Sequence, residues 1–81
     1  MNAHKGYKDR IVIDSRIHFW KPCIAGTRIP TENVLELIQE GITFEDIVTK
    51  YYPDLEIEDV KACARYATEI AKHEEVHIGA G

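Results

Sequence analysis

The amino-acid sequence predicts a mainly α-helical, three-helix domain of the helix-turn-helix class, with a short β element at its N-terminal side. A β-branched run, Arg10–Asp14, comes first, and from Thr31 onward the apolar residues recur with helical spacing. Two short joints, Glu40–Ile42 and Tyr52–Leu55, divide the helical part into three short segments. Short joints between short amphipathic helices are typical of trihelical helix-turn-helix domains.

The β element is predicted from the first third of the chain. Arg10–Asp14 has the composition of a strand, and Ile17–Trp20 is a second apolar stretch that would pair back against it. Pro22 limits this pairing because proline donates no backbone hydrogen bond. The sequence therefore predicts two or three short strands, which would be marginally stable in water by themselves.

The segment Lys21–Pro30 is the most constrained part of the sequence, with two prolines, one glycine and two cations in ten residues. Proline fixes φ and glycine supplies positive φ, so the segment is expected to have a single geometry. We interpret it as a rigid joint between the β element and the helices. The residues predicted to form structural turns, here and between the helices, are Pro22, Gly26, Thr27, Pro30, Gly41 and Pro53.

The first two helices are delimited by capping and stop signals. The first is predicted to begin with Thr31 as its N-cap and to end at Gly41. The second has a capping-box pattern from Thr43 to Asp46 and is stopped by Pro53. Their apolar faces follow from the helical spacing: Val34, Leu37 and Ile38 in the first helix, and Phe44, Ile47, Val48 and Tyr51 in the second.

The third helix is predicted to open within Asp54–Glu58, where carboxylates interact favourably with the helix dipole, and to run to about His73. Apolar residues occur on two of its sides, so it is expected to contact both its own domain and a second chain or strand. One stripe consists of Ile57, Val60, Ala64, Ala67 and Ala71, and the other of Cys63, Tyr66 and Ile70.

The 81 residues suffice for one domain but not for a cleft between two lobes. We expect a single trihelical domain over residues 10–74, a flexible N-terminus at 1–9 and a frayed C-terminus at 75–81. No apolar run is long enough to span a bilayer, and Met1–Arg10 lacks the apolar core of a signal peptide. No membrane partner is therefore expected, and the expected compartment is the cytoplasm.

No pattern in the sequence predicts catalysis, so we expect neither an enzyme nor a cofactor. Cys23 and Cys63 are interpreted as small hydrophobic residues rather than as a disulfide or a nucleophile. His73 and His77 match the pattern His-Glu-x-x-His, but this close to the chain end an exposed helix terminus is favoured over a metal site. Ala25–Thr27 contains one glycine, which indicates a turn rather than a phosphate-binding loop.

The net charge of −4 is distributed unevenly along the chain. Residues 1–30 carry six Lys or Arg against two Asp, whereas residues 31–81 carry four Lys or Arg against twelve Asp or Glu. This asymmetry indicates two surfaces with different partners, or a dimer in which one surface covers the other.

Nucleic acid is one candidate partner, because the first third of the chain is basic and Lys61, Arg65 and Lys72 form a basic stripe on the third helix. The alternative is a solvated helix face with internal pairs, Glu58 with Lys61 and Glu69 with Lys72. The acidic start of this helix would also repel a DNA groove. The candidates for DNA contact are Arg16, Lys21, Arg28, Lys61 and Arg65.

Exposed aromatic residues would indicate a protein partner. The cluster His18-Phe19-Trp20 is unusual in a small domain, and core packing or a dimer contact is its first interpretation. The sharper hypothesis is a contact with a partner protein, because Trp and Tyr dominate such interfaces. The partner-contact candidates are Phe19, Trp20, Tyr66 and Ile70.

The order of these motifs resembles the domain-of-unknown-function family 433, antitoxin-like proteins of bacteria and archaea. The combination of Lys-Pro with Gly-Thr-Arg-Ile-Pro is its most specific part, and the resemblance covers roughly residues 11–68. Phe19 and Trp20 stand where the family usually has glycines, and Glu56 stands where the third helix usually opens on Ser or Thr. The matching pieces are Ile11–Asp14, Lys21–Pro22, Ala25–Pro30, Val34–Leu35, Glu40–Gly41, Glu45–Ile47, Tyr52–Leu55, Glu58–Val60, Ala64 and Tyr66–Ala67.

The resemblance implies a homeodomain-like trihelical fold, a PIN-like nuclease toxin as partner, and operator DNA as a second candidate partner. Acidic helices also suit a basic nuclease by charge complementarity. We therefore expect a non-enzymatic, homodimeric, antitoxin-like protein. The alternative is a structural protein–protein interaction module that does not bind DNA.

Overall fold

The computed structural model describes residues 9–16 and 20–73. Two strands, β1 (Ile11–Ile13) and β2 (Pro22–Ile24), precede the helices. The helices are α1 (Thr31–Gln39), α2 (Phe44–Asp46), which continues as a π-helical turn (Ile47–Tyr51), and α3 (Ile57–His73). The predicted mainly α-helical class, with three helices after a short β element, is confirmed. The expectations for residues 1–8, 17–19 and 74–81 lie outside the described residues.

The strands form an antiparallel hairpin in which Ile11 lies opposite Ile24, Val12 opposite Cys23, and Ile13 opposite Pro22. Pro22 is therefore the first residue of a strand, whereas the sequence placed it among the turn residues. Proline fits there because this is a non-hydrogen-bonded pair of the ladder, as the flanking bonds show.

Two backbone hydrogen bonds define which groups of the hairpin face each other. The Ala25 N–H donates to the Arg10 carbonyl at 2.8 Å, and the Ile24 N–H points away from β1, donating to the Ile29 carbonyl at 3.0 Å. In an antiparallel ladder, hydrogen-bonded and non-hydrogen-bonded pairs alternate. The backbone groups of Val12 therefore face β2, and those of Ile11 and Ile13 face the outer edge of β1.

The turn after β2 has the tight geometry that its sequence indicates. Gly26 has a φ of 81°, which favours glycine. The Thr27 hydroxyl donates to the Ile24 carbonyl at 2.7 Å and accepts from the Ile29 N–H at 3.0 Å. Pro30 then bridges back to Cys23. The segment is thus fixed against β2 immediately before α1 begins.

The start of α1 differs from the prediction. Thr31 is not the N-cap but the first helical residue, and its side chain is buried. The N-cap position is held by Pro30, which has an extended backbone and forms no side-chain cap hydrogen bond. Its ring fixes φ but carries no group that could accept a helix N–H. After α1, Gly41 has a φ of 88°, which suits the glycine that ends a helix.

The start of α2 follows the prediction, because the Thr43 hydroxyl accepts the Asp46 N–H at 3.1 Å. The second half of the predicted helix differs from the prediction. The chain widens into a π-helical turn, closed by the Tyr52 N–H, which donates to the Ile47 carbonyl at 2.7 Å. Tyr51 is consequently exposed instead of lying in the core, and Tyr52 is half-buried against the core.

The third helix begins at Ile57, later than the start of the predicted Asp54–Glu58 range, because the chain first turns through Pro53 and buries Leu55. One Asp59 carboxylate oxygen accepts the Glu56 N–H at 2.9 Å, which caps the helix from its third position. The other oxygen accepts the Arg10 guanidinium at 2.8 Å. This bond ties the start of β1 to the start of α3.

The core lies where β2 and the three helices meet. α1 and α2 both pack against α3, and β1 packs against the same helix. The buried residues of α3 are Val60, Ala62 and Cys63. Ala71, which the sequence placed in the first apolar stripe of this helix, is exposed. The fully buried side chains that form the core are Ile24, Val34, Ile47, Val60, Cys23 and Cys63.

Both cysteines are buried and free, as expected for small hydrophobic residues. Burial, with a smaller contribution from the nearby Asp59 carboxylate, raises the pKa of the Cys63 thiol to about 12. Burial also raises the pKa of Cys23. Of the helices in the described part of the chain, none has the length and apolarity needed to cross a membrane.

Candidate nucleic-acid and partner interfaces

The outer face of α3 carries a line of cationic and polar side chains. Lys61, Arg65, Thr68 and Lys72 recur every three or four residues, which places them on one side of the helix, and all four are exposed. An open groove runs beside this line, lined also by Phe44 and by Ala64 and Glu69 of α3. We call the line of Lys61, Arg65, Thr68 and Lys72 the α3 basic face.

The charges on α3 are only partly paired with one another. The Lys61 ammonium lies 3.6 Å from the Glu58 carboxylate, as predicted. Glu69 lies 3.6 Å from His73 rather than pairing with Lys72. Within the described residues, Arg65 and Lys72 take part in no ion pair. These two side chains can therefore contact an anion without first breaking an ion pair with a described residue.

The acidic start of α3 is compensated within the fold. Arg10 donates to Asp59 at 2.8 Å and to Glu56 at 3.3 Å, and Glu58 lies beside Lys61. Hydrogen bonding to Asp59, with a smaller contribution from Glu56, raises the pKa of Arg10. The repulsion of DNA that the sequence predicts at this helix start is thereby reduced.

The cations of the hairpin region are held by carboxylates of the same chain. Arg16 forms a bidentate pair with Asp14, at 2.8 and 3.1 Å, and Lys21 donates to Glu32 of α1 at 2.9 Å. The bond to Glu32 is also the main cause of the raised pKa of Lys21. Three of the six cations of residues 1–30, Arg10, Arg16 and Lys21, are thus engaged in ion pairs within the fold.

The Asp14–Arg16 pair leads to a prediction about pH. The Arg16 guanidinium, and next the Arg16 backbone N–H, lower the pKa of Asp14 from 3.8 to about 2. A carboxyl whose pKa is lowered by folding stabilises the folded chain at any pH above the pKa that it has in the unfolded chain. This contribution is lost as the pH falls from about 4 to about 2. We expect an NMR titration to give an Asp14 pKa near 2, which Arg16→Gln returns toward 3.8.

Lys21→Gln is the matched control, because it removes a cation that pairs with Glu32 instead of Asp14. It should leave the Asp14 titration unchanged. An Asp14 carboxyl that titrates near 3.8 in the unsubstituted protein would contradict the bidentate geometry.

Arg28 lies apart from the α3 basic face. It is exposed and lines a depression between the turn at Gly26 and the start of α3, together with Asp54 and Asp59. The five predicted DNA contacts therefore do not form one surface. Lys61 and Arg65 share the α3 basic face, Arg16 and Lys21 form ion pairs near the hairpin, and Arg28 lines a separate depression.

Of the predicted partner contacts that the structure describes, Trp20 is the most exposed, at 63%. It also has a φ of 73°, a left-handed conformation that is uncommon for a large aromatic residue and that often accompanies functional sites. Ile70 is exposed at 44% and Tyr66 is half-buried. Phe19 lies outside the described residues.

The described residues hold no group of three or more His, Cys, Asp or Glu that could bind a metal ion. His73 pairs with Glu69, and His77 lies outside the described part. Two contributors to these surfaces were not predicted. Phe44 was assigned to the core but also lines the groove at α3, and Ile13 was assigned only to a strand but is half exposed.

Comparison with known proteins gives one family match. A family model described as "Protein of unknown function (DUF433)" matches residues 11–67, which run from β1 through most of α3. No curated protein and no solved structure matches the chain significantly. The match therefore includes both the hairpin and the α3 basic face up to Arg65.

Proposed function

This chain belongs to the DUF433 family of proteins of unknown function, and from this premise we propose that it is an antitoxin-like, DNA-binding protein. It would bind operator DNA through the α3 basic face and a basic, PIN-like nuclease toxin through a second surface around Trp20. It would carry out no catalysis itself and would need no cofactor.

The observation that supports DNA binding best is the position of two cations, Arg65 and Lys72, that form no ion pair with any described residue. Arg16 and Lys21 are engaged in ion pairs with carboxylates of the same chain, whereas Arg65 and Lys72 are exposed without an ion pair to a described residue, on one face of the last helix of a three-helix unit. Lys and Arg side chains that contact phosphates supply most of the affinity of non-specific DNA binding. Thr68, between the two cations, adds an exposed hydroxyl that can also bond to a phosphate oxygen.

The acidic first turn of α3 restricts how the helix can meet DNA. In most helix-turn-helix proteins the N-terminal residues of the recognition helix contact base edges. Here three carboxylates, Glu56, Glu58 and Asp59, outnumber the two cations that pair with them, so a net negative charge remains and opposes entry of the helix start into a groove. We therefore propose that α3 lies along the phosphate backbone with its middle and C-terminal half.

A gel-shift experiment with the DNA upstream of the protein's own gene tests this half of the proposal. Binding that is tight at low salt and weakens steeply with added salt supports it. Absence of a shift even at low salt would overturn it and favour the alternative, a structural interaction module without DNA binding.

The toxin-binding half rests on Trp20 and on the charge of α1. Trp20 precedes Lys21, whose bond to Glu32 fixes this part of the chain against α1. On the exposed side of α1, Glu36 and then Glu40, directly after the helix, continue from Glu32 and give an acidic ridge. An exposed tryptophan beside an acidic ridge suits a partner with a basic surface, such as a nuclease that binds RNA.

We expect Trp20→Asn to weaken capture of the adjacent gene's product by at least roughly tenfold, since tryptophan anchors are common hot spots. Asn tolerates the positive φ at this position, so the fold should be retained. Tyr51→Asn is the matched control, an exposed aromatic residue on the π-helical turn. Equal capture by both variants, or an adjacent gene that encodes no nuclease-like protein, would contradict the assignment.

A further inference from the structure

The outer edge of β1 has a sequence that is complementary to itself. Arg10-Ile11-Val12-Ile13-Asp14 reads as cation, three β-branched residues, anion. Two copies laid antiparallel about Val12 place Ile11 opposite Ile13 and Arg10 opposite Asp14. Apolar and opposite-charge residues that face each other across strands stabilise a sheet, and no like charges meet in this register. We propose that the protein forms a two-fold dimer by pairing β1 with β1 of a second copy.

The backbone of β1 is oriented for this pairing. The N–H and C=O groups of Ile11 and Ile13 face the outer edge, because those of Val12 face β2. A two-fold axis at Val12 makes Ile11 and Ile13 of the partner copy a hydrogen-bonded pair, with a second, symmetry-related pair beside it. The register that matches the side chains is therefore also the register that matches the hydrogen-bonding groups.

The hairpin gains most from this addition. In the described part of the chain, the sheet has two strands of three residues each, and β1 forms one of its edges. Two-stranded hairpins are marginally stable in water, and exposed edges attract further strands. Pairing the two copies gives a four-stranded sheet in the order β2–β1–β1–β2.

The exposed apolar residue of β1, Ile13, lies where this dimer requires an apolar contact. Ile13 is 50% exposed, although Ile11, on the same side of the same strand, is packed against the core. In the dimer, Ile13 meets Ile11 of the partner copy and extends the apolar layer beyond the end of each core. Arg10 and Asp14 are already paired within each chain, so their positions opposite each other avoid like-charge contacts in the dimer rather than supply new ion pairs.

The decisive variant is Ile13→Pro. It removes the outward N–H of Ile13 but no hydrogen bond of the hairpin, since Ile13 lies opposite Pro22 at a non-hydrogen-bonded position. Ile13→Thr is the matched control, because it keeps the N–H and the β-branched shape. Light scattering coupled to gel filtration should give about twice the 9.3 kDa chain mass for the wild-type protein and for Ile13→Thr, and the single chain mass for Ile13→Pro.

A second measurement does not depend on whether Ile13→Pro folds. In a dimer mixed from isotope-labelled and unlabelled chains, the two Val12 α-protons face each other, so an intermolecular nuclear Overhauser effect between them is expected. A wild-type protein that is monomeric at NMR concentrations would overturn the inference, as would a dimer that lacks this effect or a folded Ile13→Pro that remains dimeric. These readouts use neither DNA nor toxin, so they can fail independently of the proposed function.

Discussion

Reversing the charge of Arg65 is expected to lower the affinity for upstream DNA by at least roughly tenfold at low salt, because the side chain lies at the centre of the α3 basic face. The exchange of arginine for glutamate removes one phosphate contact and adds a repulsive charge. The slope of log affinity against log salt should fall by about one. Filter binding or fluorescence anisotropy over a salt series measures both quantities.

Lys50→Glu is the matched control for Arg65→Glu, with the same change in charge. Lys50 is exposed on the π-helical turn, 3.7 Å from Asp46, and lies outside the α3 basic face. It should bind DNA nearly as well as the unsubstituted protein. If the two variants lose equal affinity for DNA, the affinity depends only on the net charge of the protein. The assignment of α3 as the DNA-binding helix would then be wrong.

Ile47→Ala is expected to destabilise the domain by about 2–5 kcal/mol, the cost of truncating a fully buried isoleucine. Ile47 starts the π-helical turn and packs in the core with Val34 and Val60, so its loss leaves a cavity between helices. Small domains have about 0.05–0.15 kcal/mol of stability per residue, so the loss is a large part of the total. Urea unfolding followed by circular dichroism measures the difference.

Ile70→Ala makes the same chemical change at an exposed position of α3 and serves as the control. It should alter the free energy of unfolding by less than about 0.5 kcal/mol. If the two alanine variants are equally stable, the core described around the π-helical turn is wrong.

The helical pattern of the sequence was sufficient to predict the fold class. The Thr43 cap and the position of Gly41 after α1 followed from local signals, because each depends on residues that are neighbours in sequence. Thr31 was assigned wrongly as a cap since a threonine after proline fits that role locally, whereas packing buries its side chain. The π-helical turn had no sequence signal, and it moved Tyr51 out of the core.

The candidate sites were predicted less well than the fold, because their electrostatics depend on long-range contacts. Arg10 and Asp59 are 49 positions apart, and no periodicity indicates that they meet. Likewise, the pairing of Lys21 with Glu32 could not be inferred, and it reduces the basic region that the sequence favoured for DNA. The α3 basic face was the weaker candidate in the sequence and is the stronger one in the folded chain.

The most direct test of DNA binding by α3 is an NMR titration of the isotope-labelled protein with a duplex from its own upstream region. We expect the amide chemical shifts to change most between Lys61 and Lys72, and Arg65→Glu to remove these changes. Shifts confined to Arg16, Lys21 and Arg28, or no shifts at low salt, would contradict it.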